Sequence, residues 1–226
     1  MAFILCFACS FLSNGVVTLL LTLLLLQSGF RLAPVSDGDR EPSFRSYIQK
    51  LKIAVSKRDP KLLRKLVAED VIVGGFAAKD EKGYAKFAAR WEVDQKDGAV
   101  WDVLADLMEL GFFRQVPTTY VSPYVAWKFP RELDPRQHLV VLRDALPLRA
   151  APQRDAAIVA TLAFDVVRKL DDSKVGDSFG WVHVETAAGI QGYVQAAVVR
   201  SPLMAKAQFS QIEGQWKLLV LDRARN

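Results

Sequence analysis

The chain has 226 residues, is 51% hydrophobic and carries a formal net charge of +5. It is long enough to bury a core, but its charge is unevenly placed: Met1 to Phe30 contains no Lys, Arg, Asp or Glu. Both cysteines, Cys6 and Cys9, lie in that uncharged stretch, which excludes a disulfide framework or a thiolate metal site from the rest of the chain.

Residues 16–26 read Val-Val-Thr-Leu-Leu-Leu-Thr-Leu-Leu-Leu-Leu, the length of a signal-peptide apolar region. Gln27, Ser28 and Gly29 follow, small or polar residues suited to a peptidase. The whole uncharged stretch is also long enough to cross a bilayer as an anchor. No basic residue precedes the apolar run, whereas Arg31, Arg40 and Arg45 follow it, which opposes translocation by the positive-inside bias. The expectation is a signal peptide or membrane anchor over residues 1–33 and a charged linker over 34–42. The protein would then be exported, periplasmic or held at the inner membrane.

Residues 43–135 carry a helical period. Phe44, Tyr47, Ile48, Leu51, Ala54 and Val55 form one apolar stripe. Asp59-Pro60 ends that helix and starts another, with Asp as N-cap and Pro at the first helical position. Tyr84, Phe87, Ala88 and Trp91 mark a third helix, and Leu104, Leu107 and Met108 a fourth, closed by Gly111. The residues 71–73 fit a strand end, and 116–130, where prolines alternate with aromatics, read as a loop packed over a core. Helix, helix and short strand resemble the start of nuclear-transport-factor-two-like domains. The antiparallel sheet that should complete such a domain is not visible before residue 135, so this region is predicted to be mainly helical.

From residue 138 the period becomes alternating. Short strands near 138–142, 146–149, 158–162, 165–170, 181–184 and 191–194 are separated by turn residues, the pattern of a small barrel or sandwich. Leu146, Leu148, Arg149 and Pro152 open the run, 158–162 follows, then Trp181-Val182-His183-Val184 and Gly192-Tyr193-Val194. In that order these elements resemble the bacterial Src-homology-3-like family. The resemblance implies a small β-barrel over residues 140–199, with domain bounds 138–200. Apart from the resemblance, Ile158, Leu162, Val166, Trp181, Val184 and Val194 supply large apolar groups for the interior of such a barrel. Pro147, Phe164 and Tyr193 depart from the family pattern. Met204 to Leu221 then forms a hairpin turning at Glu213-Gly214, which either extends the barrel or returns to the helical region. The overall fold class is α+β.

Chemistry-bearing patterns are few. His138 and His183 are the chain's two histidines, and neither has a Cys or carboxylate at ligand spacing. There is no phosphate-binding glycine loop and no Gly-x-Ser-x-Gly elbow. Asp102, Asp106 and Glu109 share one helical side and read as a solvated face, as do the basic residues around the first helix pair. No cofactor, no metal and no nucleic-acid partner is expected, and the chain is not read as an enzyme.

The expected function is a non-catalytic exported interaction module. Its barrel would contact peptidoglycan or an envelope protein through loops 149–155 and 171–179, with Arg149, Asp155, Phe179 and Tyr193 as candidate ligand-binding residues. One alternative is a small-molecule or enzymatic pocket in the helical region, lined by Tyr84, Trp91, Tyr124 and Trp127. Another is a structural accessory protein anchored in the membrane by its N-terminal segment.

Overall fold

The computed structural model describes residues 29–73, 75–76, 81–170 and 180–223. The apolar run at 16–26 therefore lies outside the described residues. No helix among the described residues is long and apolar enough to cross a membrane.

The first helix, α1 (Pro42–Ser56), buries Phe44, Tyr47, Ile48, Leu51, Ala54 and Val55, the stripe expected from the sequence. The second, α2 (Pro60–Leu66), begins where the Asp59 side chain accepts from the backbone N–H of Lys61 at 2.9 Å and of Leu62 at 3.1 Å. Two of the otherwise unpaired amides of the first turn are thereby satisfied. Asp59→Ala should cost about 1 kcal/mol, read as a lower urea midpoint, while Asp59→Asn should restore most of it.

After β1 (Val67–Ile72) come α3 (Tyr84–Arg90) and α4 (Ala99–Glu109). Beyond α4, Gly111 has φ +79°, the left-handed conformation with which helices commonly end. Next are β2 (Phe113–Val116), β3 (Thr119–Ser122) and the short α5 (Tyr124–Trp127). Region 43–135 is therefore helix and strand together, and 116–130 is not a plain loop. All four residues of β3 are buried, so it shows no polar face to alternate against. Ser122, although fully buried, donates its hydroxyl to the Leu107 carbonyl at 2.6 Å, which satisfies it.

The small strands follow as β4 (His138–Val141), β5 (Leu146–Arg149), β6 (Ile158–Leu162), β7 (Val166–Lys169), β8 (Trp181–Glu185), β9 (Gln191–Gln195) and β10 (Val199–Arg200). A 3-10 turn over Ala196–Val198 joins the last two. The chain ends with the hairpin β11 (Lys206–Ile212) and β12 (Gln215–Asp222). Its turn residues Glu213 and Gly214 both have positive φ, 49° and 76°, the type I′ signature that matches strand twist.

The protein is mixed α/β, with two sheets. The five-stranded sheet runs β1-β12-β11-β3-β2 and the seven-stranded one β10-β4-β7-β8-β9-β5-β6. The terminal hairpin thus joins the helical region: β12 pairs in parallel with β1, and β11 lies antiparallel to β3. The seven-stranded sheet is not a closed barrel, because β10 and β6 remain its two ends.

Three cores hold this arrangement. In the first, the helices pack on the five-stranded sheet around Phe44, whose ring lies 4.0 Å from Tyr120 and near-parallel to it, with Phe112 and Trp216 edge-on. In the second, Leu139, Leu148, Leu162, Val167, Val184 and Val194 fill the seven-stranded sheet. Three residues expected in that interior are not there: Ile158 is 58% exposed on the end strand β6, Trp181 is half-buried on the opposite face, and Val166 is buried in the core between the sheets.

The third core joins the two sheets. Leu32, Tyr124, Val125, Val140 and Val166 meet there. The stretch 29–41, which straddles the expected leader end and linker, is packed rather than loose. Val166 N–H donates to the Phe30 carbonyl and Leu32 N–H to the Phe164 carbonyl, both at 2.8 Å. Farther along, Asp37 N–H donates to the Phe112 carbonyl at 3.0 Å, and Gly38 sits against the Phe44 and Phe112 rings. Tyr124 donates its hydroxyl to the Leu32 carbonyl at 3.3 Å, and burial pushes that phenol up to about 12. This strap ties the helical unit to the small sheet.

Candidate functional site

Alternation along β8 and β9 divides their side chains cleanly. Val182, Val184, Gly192 and Val194 face the core. Trp181, His183, Glu185, Tyr193 and Gln195 lie half-buried on the other face. Register places Trp181 opposite Gln195, His183 opposite Tyr193 and Glu185 opposite Gln191. On the far side of β9, Tyr193 pairs with Arg149 of β5. Directly opposed residues share a face, so Arg149, Tyr193 and His183 form one row across three strands.

The row is held by packing and a hydrogen bond. The His183 and Tyr193 rings stack with centroids 4.5 Å apart and planes 11° from parallel. Arg149 donates from a terminal guanidinium nitrogen to the Ala156 carbonyl at 2.7 Å, which ties the loop between β5 and β6. A guanidinium carries five N–H donors, so this bond leaves it able to take a carboxylate. Asp155 is exposed on the same loop, one residue before that anchor.

One end of the face is charged and self-paired. Glu185 accepts from Gln191 Nε2 at 3.0 Å and from Arg168 Nε at 3.0 Å. These bonds, from Gln191 and then Arg168, hold its carboxyl below the ordinary range. The other end carries Trp181, which in sequence closely follows the expected contact loop 171–179. Phe179 and that whole loop lie outside the described residues, so of the four candidates Arg149 and Tyr193 are brought together, Asp155 is nearby in the loop, and Phe179 is not placed.

The face adds two residues that sequence reasoning did not select, Trp181 and His183. The signal was present. In one strand Trp181 and Val184 have opposite parity, so they cannot both point into the core.

Elsewhere, the aromatics expected to wall a pocket in the helical region are divided: Tyr84 and Trp91 pack with one core, while Tyr124 and Trp127 lie apart from it. Tyr84 lies under the Arg64 guanidinium at 4.1 Å, and Trp91 under Arg223 at 4.9 Å. Trp127 meets Phe76 edge-on at 5.0 Å, and Tyr124 belongs to the core between the sheets. Asp102, Asp106 and Glu109 are exposed, with Asp102 ion-paired to Arg58 at 2.6 Å. Among the described residues no three His, Cys, Asp or Glu side chains are grouped to hold a metal ion. Comparison with known proteins finds no matching family model, no matching curated protein and no matching solved structure.

Proposed function

We propose that the protein is an exported interaction module that contacts cell-wall peptide or an envelope protein through the outer face of β8, β9 and β5. One observation carries this reading: the Arg149–Tyr193–His183 row, with two stacked rings flanked by a guanidinium on a half-buried sheet face. Aromatic faces take up the apolar parts of a peptide, and a guanidinium pairs in bidentate fashion with its carboxylates. Peptidoglycan stems offer both.

The same proposal reads the small sheet as a bacterial Src-homology-3-like unit. In support, β4, β7, β8 and β9 run as neighbours, and β10 returns to pair with β4 after a 3-10 turn. The larger unit is read as nuclear-transport-factor-two-like. Its support is the helix-helix-strand opening, completed by the antiparallel strands β12, β11, β3 and β2. On this reading the small sheet is an insertion between β3 and β11. The uncharged stretch from Met1 to Phe30 supports delivery outside the cytoplasm or retention at its membrane.

The test is retention on purified peptidoglycan, compared with an unrelated folded protein. The wild-type chain should be retained, and Tyr193→Ala and Arg149→Ala should each reduce retention about tenfold or more, the scale of a lost interface anchor. Because Arg149 also ties its loop, Trp181→Ala serves as the second probe of the face and should act in the same direction. Wild-type retention no greater than the unrelated protein would sink the cell-wall version.

A further inference from the structure

A concave surface lies far along the chain from that face, where α1 and α2 meet the tip of the terminal hairpin. It is a groove of about 600 Å³, within the 300–1,000 Å³ range of small-molecule sites. Its apolar walls come from Tyr47, Leu62, Leu66 and Trp216. Its rim carries Lys50, Lys65 and Lys217, and no carboxylate lines it. None of the three lysines is in an ion pair among the described residues, whereas Arg58 and Arg64 nearby are paired with Asp102 and Glu69. Lys217 donates its ammonium to the Lys65 carbonyl at 2.6 Å, which holds that cation at the groove edge with two N–H donors left.

The polar atoms of Tyr47, Trp216 and Ser46 already have partners, and Gln215 alone of the lining side chains adds an exposed amide. Tyr47 donates its hydroxyl to the Leu66 carbonyl at 2.9 Å, and Trp216 donates its indole N–H to Ser43 Oγ at 2.9 Å. Ser46 donates to the Pro42 carbonyl at 3.0 Å. A peptide laid in this groove would find few partners for its backbone groups, and leaving those unpaired is costly. A hydrocarbon chain makes no such demand. The concave form also suits one molecule better than a flat bilayer surface.

We infer that this groove binds a single long-chain carboxylate, with the acyl chain between Tyr47, Leu62, Leu66 and Trp216 and the head group among Lys50, Lys65 and Lys217. The inference is independent of the role given to the small sheet.

Dodecanoate, kept below its micelle concentration, is the probe, titrated calorimetrically into the full chain. Dodecyltrimethylammonium, with the same tail and opposite head, should bind at least about tenfold more weakly. The triple variant Lys50→Gln, Lys65→Gln, Lys217→Gln should lose about tenfold or more in dodecanoate affinity. Lys52→Gln, Lys57→Gln, Lys61→Gln removes as much charge outside the groove and should stay within about twofold of wild type. All three proteins carry the same apolar N-terminal stretch, so acyl binding there cancels in the comparison. As a second measurement that needs no variant, the Trp216 indole N–H resonance should move during the titration. Equal affinity for the two head groups, equal affinity of the two triple variants, an unmoved Trp216 resonance, or tighter binding of a glutamate-rich peptide than of dodecanoate would each overturn the inference.

Discussion

A chain ended after Ala205 should lose the cooperative unfolding transition of its helical unit altogether. The terminal hairpin occupies the middle of the five-stranded sheet, so removing it takes away the partner of β1 on one side and of β3 on the other. Phe209, Trp216, Leu218 and Leu221 leave the core with it. Buried side chains of this size contribute about 1.5–3 kcal/mol each, so four of them approach the whole stability of a typical domain, about 5–15 kcal/mol. The measurement is urea unfolding followed by tryptophan emission, since Trp91 and Trp101 are buried in the same core and survive the truncation. A sharp transition at the wild-type midpoint would contradict the sheet order. So would a merely small downward shift, which is what loss of a peripheral hairpin would give.

Phe44→Ala should be the most damaging single substitution, lowering stability by about 3–5 kcal/mol. Phe44 is fully buried, and its ring meets those of Tyr47, Phe112, Tyr120, Phe209 and Trp216. These partners come from α1, the turn before β2, β3, β11 and β12. Truncation therefore leaves a void bordered by α1 itself and four other pieces of chain, which cannot all move inward to fill it. For a chain of this size the melting temperature should fall by roughly 6–20 °C. Ile53→Ala is the control on the same helix: Ile53 is 49% exposed, so its loss should change stability by about 0.5 kcal/mol or less. Equal effects of the two substitutions would show that α1 does not pack as described.

Elements governed by local chemistry were legible in the sequence. Asp59-Pro60 announces the start of α2, Gly111 the end of α4, and Glu213-Gly214 a tight hairpin, each because one residue type suits one backbone conformation. The strands of the small sheet were legible for a related reason, since alternation exposes one face and buries the other. Strand β3 was not legible, because its four residues are buried on both sides and prolines at 117 and 123 enclose them. Its partner lies far away in sequence: Tyr120 is opposite Phe209. No local pattern encodes that pairing. Half of the candidate site was visible as Arg149 and Tyr193. The row they form with His183 depends on which strand lies beside which, and β5 reaches β9 past three intervening strands of the chain.

The position of the hairpin also orders events in time. The chain grows from its N-terminus, so β4 through β10 and the strap at 29–41 that bonds to them are all present before β11 exists. The small sheet can form at that stage. The five-stranded sheet cannot, because β1 and β3 must wait for strands made last, with Val67 finally paired to Leu218. Until then the apolar stripe of α1 lacks the two middle strands that complete its cover. Contacts so distant in sequence form slowly, and the interval leaves an apolar helix face open to misassociation or to a holding chaperone.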